Sequence, residues 1–204
     1  MSLAALLAAL LLPGLQEQQE PKPEPPEDMV PQQEEGGESA DLIDLGRIEL
    51  YPQLSVLVFS SDFEADPAFG GGLMARAPMP WFSRDLLGLE EDDFGIFAGI
   101  TVSGIDRDTD PELEDPSGTL VFACLGMDYT FLKDETFLLR GQVGLEYGYF
   151  GGVTDLDDGV AALFGAVFGV NLGGGIWVSY SPQLAVADAG NLIFFNSLGV
   201  VIEF

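Results

Sequence analysis

From Arg47 onward the chain alternates apolar and polar positions with a period of two, broken by stretches rich in glycine, proline or aspartate. Such alternation marks β-strands with one face in an apolar environment. The clearest run, TFLLRGQVGLEYGYF, places Phe137, Leu139, Gly141, Val143, Leu145, Tyr147 and Tyr149 in one phase. Leu138, Arg140, Gln142, Gly144, Glu146 and Gly148 fall in the other. The same test selects RIELYPQLSVLVF, FGGGLMARAPM, FGIFAGITVSG, TLVFACLGMDYTF, VAALFGAVFGVNL, GIWVSYSPQLAV and NLIFFNSLGVVIEF. The pattern therefore predicts an all-β fold of eight strands.

The two phases differ in charge, and that difference decides which face is out. The apolar phase carries no charge, its polar exceptions being Asn196 and the tyrosines. Glu49, Arg76, Asp128, Arg140, Glu146 and Glu203 all sit in the other phase, among glycine, serine and threonine. A soluble barrel turns its apolar phase inward, and eight such phases then need an enlarged core or a large lipid ligand. A membrane barrel inverts this, since a basic residue facing mid-bilayer lipid costs about 2–4 kcal/mol whereas the interior tolerates polar groups. The expectation is an eight-stranded antiparallel up-and-down transmembrane β-barrel over 47–204. A soluble lipocalin-like ligand-binding barrel is the alternative; the early Gly-x-Trp signal of that class is missing.

The connections agree with the inversion. With a periplasmic N-terminus the outer loops SSDFEADP, DRDTDPELEDPSG, GGVTDLDDG and ADAGN are long or acidic, while LKDE and NLGGG are short inner turns, as in outer-membrane barrels. The exception is WFSRDLLGLEEDD, a long inner connection. It reads either as an interfacial helical turn laying Trp81, Phe82, Leu86 and Leu89 on the headgroups or as a plain loop. Trp81, Phe94, Tyr129, Phe131, Phe137 and Phe204 fall at inner strand ends, and Tyr147 and Tyr149 at an outer one, where interface girdles belong. Pro52 and Pro182 oppose the scheme, because each removes a ladder donor; a bulge or frayed pair is expected at Pro182.

Composition adds the flanking segments. Residues 1–15 begin with the apolar run LAALLAALLL before Pro13 and Gly14, too short to span as a helix but long enough for a signal-peptide core. It lacks the usual basic start, which leaves either a start further upstream or an unusual leader. Residues 16–46 form a Pro/Glu-rich spacer whose stretch from Gln16 to Asp44 carries ten acidic residues; low hydrophobicity with high charge predicts disorder. The formal charge of -27, from 34 acidic against 7 basic residues, excludes a nucleic-acid partner, whose phosphates need Lys and Arg. Without histidine and with Cys124 alone, neither a Cys/His zinc site nor a histidine-based triad is possible. No catalytic set, cofactor or metal site is predicted, and an enzyme is not expected.

The chain ends SLGVVIEF, which resembles the C-terminal assembly signal of bacterial outer-membrane proteins. Ser197, Gly199, Ile202 and Phe204 fill its polar, glycine, hydrophobic and terminal aromatic positions. With the strands and the leader-like start, residues from Arg47 to Phe204 resemble small eight-stranded outer-membrane barrels of the OmpX and OmpA transmembrane-domain type. The resemblance implies the outer membrane of a Gram-negative bacterium, contact with its lipid, and recognition by the barrel-assembly machinery.

Eight strands enclose room for side chains but no water-filled channel. The lumen charges are therefore expected to pair, Arg76 and Arg140 with Glu49, Asp128, Glu146 and Glu203, as interior ties or as a gate. The run DRDTDPELED spaces Asp106, Asp108 and Asp110 like an EF-hand start, but Pro111 takes the turn glycine's place and Ser117 that of the bidentate glutamate, so that site is rejected. Weak divalent-cation binding by the acidic loops stays open. The favoured function is a structural or surface-interaction membrane barrel; a narrow, porin-like conduit for small hydrophobic or cationic solutes is second.

Overall fold

The computed structural model describes residues 42–60, 67–106, 117–151, 158–187 and 192–204. The leader-like segment 1–15, the spacer up to residue 41 and most of the acidic outer-loop carboxylates lie outside the described residues. Eight strands follow in order: β1 (Glu49–Phe59), β2 (Ala68–Pro78), β3 (Phe94–Asp106), β4 (Ser117–Lys133), β5 (Phe137–Gly151), β6 (Gly159–Gly173), β7 (Ile176–Val186) and β8 (Leu192–Glu203). Each pairs antiparallel with its neighbour in sequence, and β8 pairs back onto β1 to close the barrel. The fold is thus an up-and-down transmembrane barrel, and its strand limits fall within about two residues of the periodic runs.

Closure runs along the chain's last strand. Gln53 to Phe59 pair with Gly199 to Ile193, and Glu49 lies opposite Glu203. Phe204 N donates to Ile48 O at 3.2 Å and Glu203 N to Gly175 O at 2.9 Å. Of the signal-like residues, Ser197 points inward and its hydroxyl shares a 2.7 Å hydrogen bond with that of Ser55. Gly199 leaves no room for a Cβ, which would stand 2.5 Å from Pro52 O. Phe204 is 71% exposed at the rim.

The inner turns use turn chemistry. Between β6 and β7, Gly173, Gly174 and Gly175 take φ of 93°, 66° and 75°, a left-handed path that favours glycine. Between β4 and β5, Asp134 Oδ1 accepts from Thr136 N at 2.7 Å and Phe137 N at 2.8 Å. Those two amides hold the Asp134 carboxyl below its ordinary range, Phe137 contributing more. The last residues assigned to the spacer are tied down: Asp44 N donates to Pro78 O at 2.9 Å, and Asp44 pairs with Arg47 at 2.5 Å.

Both prolines leave a mark on the wall. The β6–β7 ladder skips the pairs between Gly165–Gln183 and Phe168–Tyr180, where Pro182 lies. The β1–β8 ladder skips those between Leu50–Ile202 and Gln53–Gly199, where Pro52 lies. A missing N–H accounts for each gap. The bulges themselves occur elsewhere, at Thr130/Leu132 and Asn171/Gly173.

Orientation follows the charge pattern. The outward phase exposes a belt including Leu54 at 73%, Phe69 at 71% and Leu198 at 60%, while Arg76 and Arg140 are buried at 1% and 0%. A belt of that kind in water would be an aggregation surface; lipid covers it. The soluble lipocalin-like alternative fails here, because an exposed apolar belt covers the outside of the strands while Arg76 and Arg140 are enclosed.

Candidate functional site

The interior is the site, and it divides by height. At its inner end β1, β2, β4 and β5 bring four charges together. Arg76 Nε donates to Asp128 Oδ1 at 2.8 Å and Oδ2 at 3.0 Å, and its Nη1 reaches Glu49 Oε1 at 3.3 Å. From β5, Arg140 Nη2 donates to Glu49 Oε1 at 2.8 Å, while Nη1 contacts Glu49 Oε2 and the Tyr51 hydroxyl. Tyr51 itself donates to Glu49 Oε2 at 2.6 Å. Thr130 Oγ1 accepts from Arg140 Nε at 3.0 Å, and Asp92 O from Arg76 Nη2 at 2.8 Å. Glu49 is the hub, held by two guanidiniums and a phenol.

Register explains the convergence. Glu49 lies directly across from Arg76, and Thr130 directly across from Arg140, so the strand ladders deliver the partners side by side. Glu49 also lies across from Glu203, a like-charge pairing. Lys133 answers it: its Nζ stands 3.1 Å from Glu203 Oε1 and 3.9 Å from Glu49 Oε1. The inner end thus balances three cations, Arg76, Arg140 and Lys133, against three carboxylates, Glu49, Asp128 and Glu203. Fully desolvated ions persist only when paired and hydrogen-bonded in this way. Gly95 makes the space, since a Cβ there would stand 2.5 Å from Arg76 Nε.

Glu146 does not join. It is buried, and it forms no ion pair or hydrogen bond among the described residues. Its strand neighbours are Cys124 on β4 and Ala161 on β6, neither able to compensate a carboxylate. It therefore stands alone higher in the barrel; Glu203 also misses both arginines and reaches Lys133 instead, so of the four predicted carboxylates Glu49 and Asp128 are the two that pair with Arg76 or Arg140. Tyr51, Thr130, Lys133 and the Asp92 carbonyl are members that the charge pattern did not single out. Tyr51 and Thr130 occupy the inward phase, which was the available signal; Lys133 sits past a bulge where the phase is lost.

Above the ions the interior is apolar, and the polar phase of the sequence understates this. Tyr51, Met74, Phe97, Leu138, Leu163, Val167, Trp177 and Val201 form one cluster. Phe97 fills the room left by Gly126, where a Cβ would meet the ring edge at 2.6 Å. Toward the outer end Leu57, Ala68, Leu120, Phe122, Ala185, Ile193 and Phe195 form a second. Phe122 stands edge-on to Phe150 and Phe195, with ring centroids 5.6 Å and 5.0 Å away. Between them run two polar crossings, Ser55–Ser197 and Gln183 Nε2 to Gln142 Oε1 at 3.0 Å. In so narrow a barrel, inward residues meet each other rather than water, so packing rules apply.

The inner mouth is covered by the β2–β3 connection. It contains a π-helical turn, Trp81–Leu86, the helical form of the two readings of this stretch. Arg47 bridges to it through Asp92 at 2.7 Å and Glu91 at 3.2 Å. Hydrogen bonding to Asp44 raises the Arg47 guanidinium further above its ordinary value. At the outer end, Asp158 Oδ1 accepts from Phe150 N at 2.9 Å; the other loop carboxylates named for cation binding, Asp106 apart, lie outside the described residues.

No protein-family model matches the sequence, and no curated protein matches it. Solved structures do match in fold. OprG, the outer membrane protein of Pseudomonas aeruginosa, aligns with a TM-score of 0.55 at 11% identity, over 78% of this chain and 95% of that one. Ail, the attachment invasion locus protein of Yersinia pestis, solved with the heparin analogue sucrose octasulfate, aligns with a TM-score of 0.53 at 14% identity, over 78% and 98%. The chain has the fold of small eight-stranded outer-membrane barrels.

Proposed function

We propose that the protein is a bacterial outer-membrane barrel with a structural or surface-interaction role, its interior plugged by its own side chains. The observation that carries this is burial at three heights of the interior. Arg140 at the inner end, Val167 in the middle and Leu57 toward the outer end are each 0% exposed, which fits a packed core and not a water path. The charge network of Glu49, Arg76, Asp128 and Arg140, with Glu203 through Lys133, is read as a tie between strands. What acts on the surroundings is then the outer surface and the loops. Ail, named for attachment and invasion, shares the fold, which supports a surface role by analogy.

The ending Ser197, Gly199, Ile202 and Phe204 is read as the signal that the assembly machinery recognises, with β8 as the closing strand. Fractionation tests the placement: the protein stays with membranes after alkaline extraction and needs detergent for solubility. Release in water overturns it. Planar-bilayer recording tests the plug. Wild-type protein gives no conductance steps; steady wild-type steps favour the narrow conduit instead.

A further inference from the structure

We propose that the β2–β3 connection is a membrane-interface foot, whose outer side lies in the headgroup region of the inner-facing leaflet while its inner side closes the barrel mouth. The proposal rests on the membrane placement above and adds a lipid-binding surface outside the strands.

The segment is built as a fixed unit. Pro80 has the helical φ of -59° and starts the turn. Ser83 is fully buried; its Oγ donates to Met79 O at 3.2 Å and accepts from Phe94 N at 3.0 Å, stapling the turn to β3. Leu89 N donates to Ser83 O at 2.9 Å, and Gly88, at φ 69°, donates to Arg84 O at 3.0 Å. A left-handed glycine closing a helical turn is a stop signal.

Its two sides differ in chemistry. Toward the lumen, the Asp92 carbonyl takes Arg76, the Asp93 carbonyl takes Thr130 N at 2.7 Å, and Arg47 binds Glu91 and Asp92. Away from it, Trp81, Leu86, Leu87 and Leu89 are left exposed. Phe82 joins the wall: its ring stands edge-on to Phe94 at 5.0 Å, Phe94 lies 4.8 Å from Tyr129, and Tyr129 4.9 Å from Phe131. This ladder leads from the lipid-facing wall directly into the foot, and that continuity names the occupant. Acyl chains cover the wall, and the next layer along the same line is the headgroup zone, where Trp and Tyr are favoured. Arg84 is neutralised by Asp85 and Glu91. Insertion therefore depends on the apolar side chains and not on attraction to anionic lipid.

The two tryptophans provide the test, since Trp177 is buried in the lumen. In Trp177→Phe protein reconstituted in phosphatidylcholine vesicles, chains brominated near the glycerol ester remove about half of the Trp81 emission. Bromines near the chain end and acrylamide in the water act weakly, and adding anionic lipid changes nothing. In Trp81→Phe protein none of these quenchers acts. Adding Leu86→Asp and Leu87→Asp to the Trp177→Phe protein opens Trp81 to acrylamide while the heat-resistant folded band persists. Trp81 answering acrylamide and not bromolipid, in vesicle-incorporated protein, overturns the foot. So does a folded Asp variant with unchanged quenching. A protein that never enters vesicles overturns the membrane placement instead.

Discussion

The inner and outer ends of this interior solve the same problem with opposite chemistry. Around Glu49, space is filled by guanidiniums, carboxylates and a phenol, each with named partners. Around Phe122, it is filled by leucines and phenylalanines that meet edge to face. Ions repay their desolvation only in a complete set, so the inner end is fragile to the loss of any one member. Apolar packing loses only the contacts of the atoms removed plus the cavity left behind. Glu146, between strands that offer it Cys124 and Ala161, belongs to neither scheme.

The contrast can be broken most forcefully at its hub. Arg140→Ala leaves Glu49 short of a partner and lowers unfolding stability by about 3–5 kcal/mol, read from urea titration in detergent. Replacing Glu49 and Arg140 together by Leu and Met recovers most of that loss, because no orphan charge remains. At the other end Leu120→Ala costs about 2–5 kcal/mol, through transfer and cavity terms. Rescue there requires added apolar volume at a neighbour in the same cluster, such as Ala68 or Ala185, and not the removal of a charge, which separates packing from ion pairing.

A smaller effect is expected between the two ends. Glu146 has no ion pair or hydrogen bond to lose among the described residues, so Glu146→Gln keeps the shape and shifts stability at neutral pH by less than about 1 kcal/mol; a larger drop in the urea midpoint would show that the side chain has a partner after all. The smallest effect lies outside the bilayer. The Asp134 carboxyl is held below its ordinary value of 3.8 by the Phe137 and Thr136 amides. Its contribution is therefore present above that value and lost as pH falls through the lower folded value. Asp134→Asn flattens this acid-side slope in thermal melts while leaving neutral-pH behaviour almost unchanged.

Much of the architecture was legible because strand periodicity is local. Alternation alone located all eight strands and assigned Arg76 and Arg140 to the inward phase. Reading only the polar members of that phase concealed Leu57, Phe122, Leu163 and Val201, since period two reports which side a residue faces and not what it meets there. Lys133 was hidden by the Thr130/Leu132 bulge, which breaks the phase just before it. Pro182 was expected to disturb its strand and does, as an unpaired step in the β6–β7 ladder.

The amino-acid order by itself determined the number of strands, the lipid-facing belt, and the inward placement of the charges, because each depends on neighbours two positions apart. Only the closed barrel decided that Glu49 takes both arginines, that Lys133 relieves Glu203, and that Glu146 is left alone. Those outcomes depend on the register between strands far apart in the chain, and on how far a guanidinium reaches across a lumen a few side chains wide.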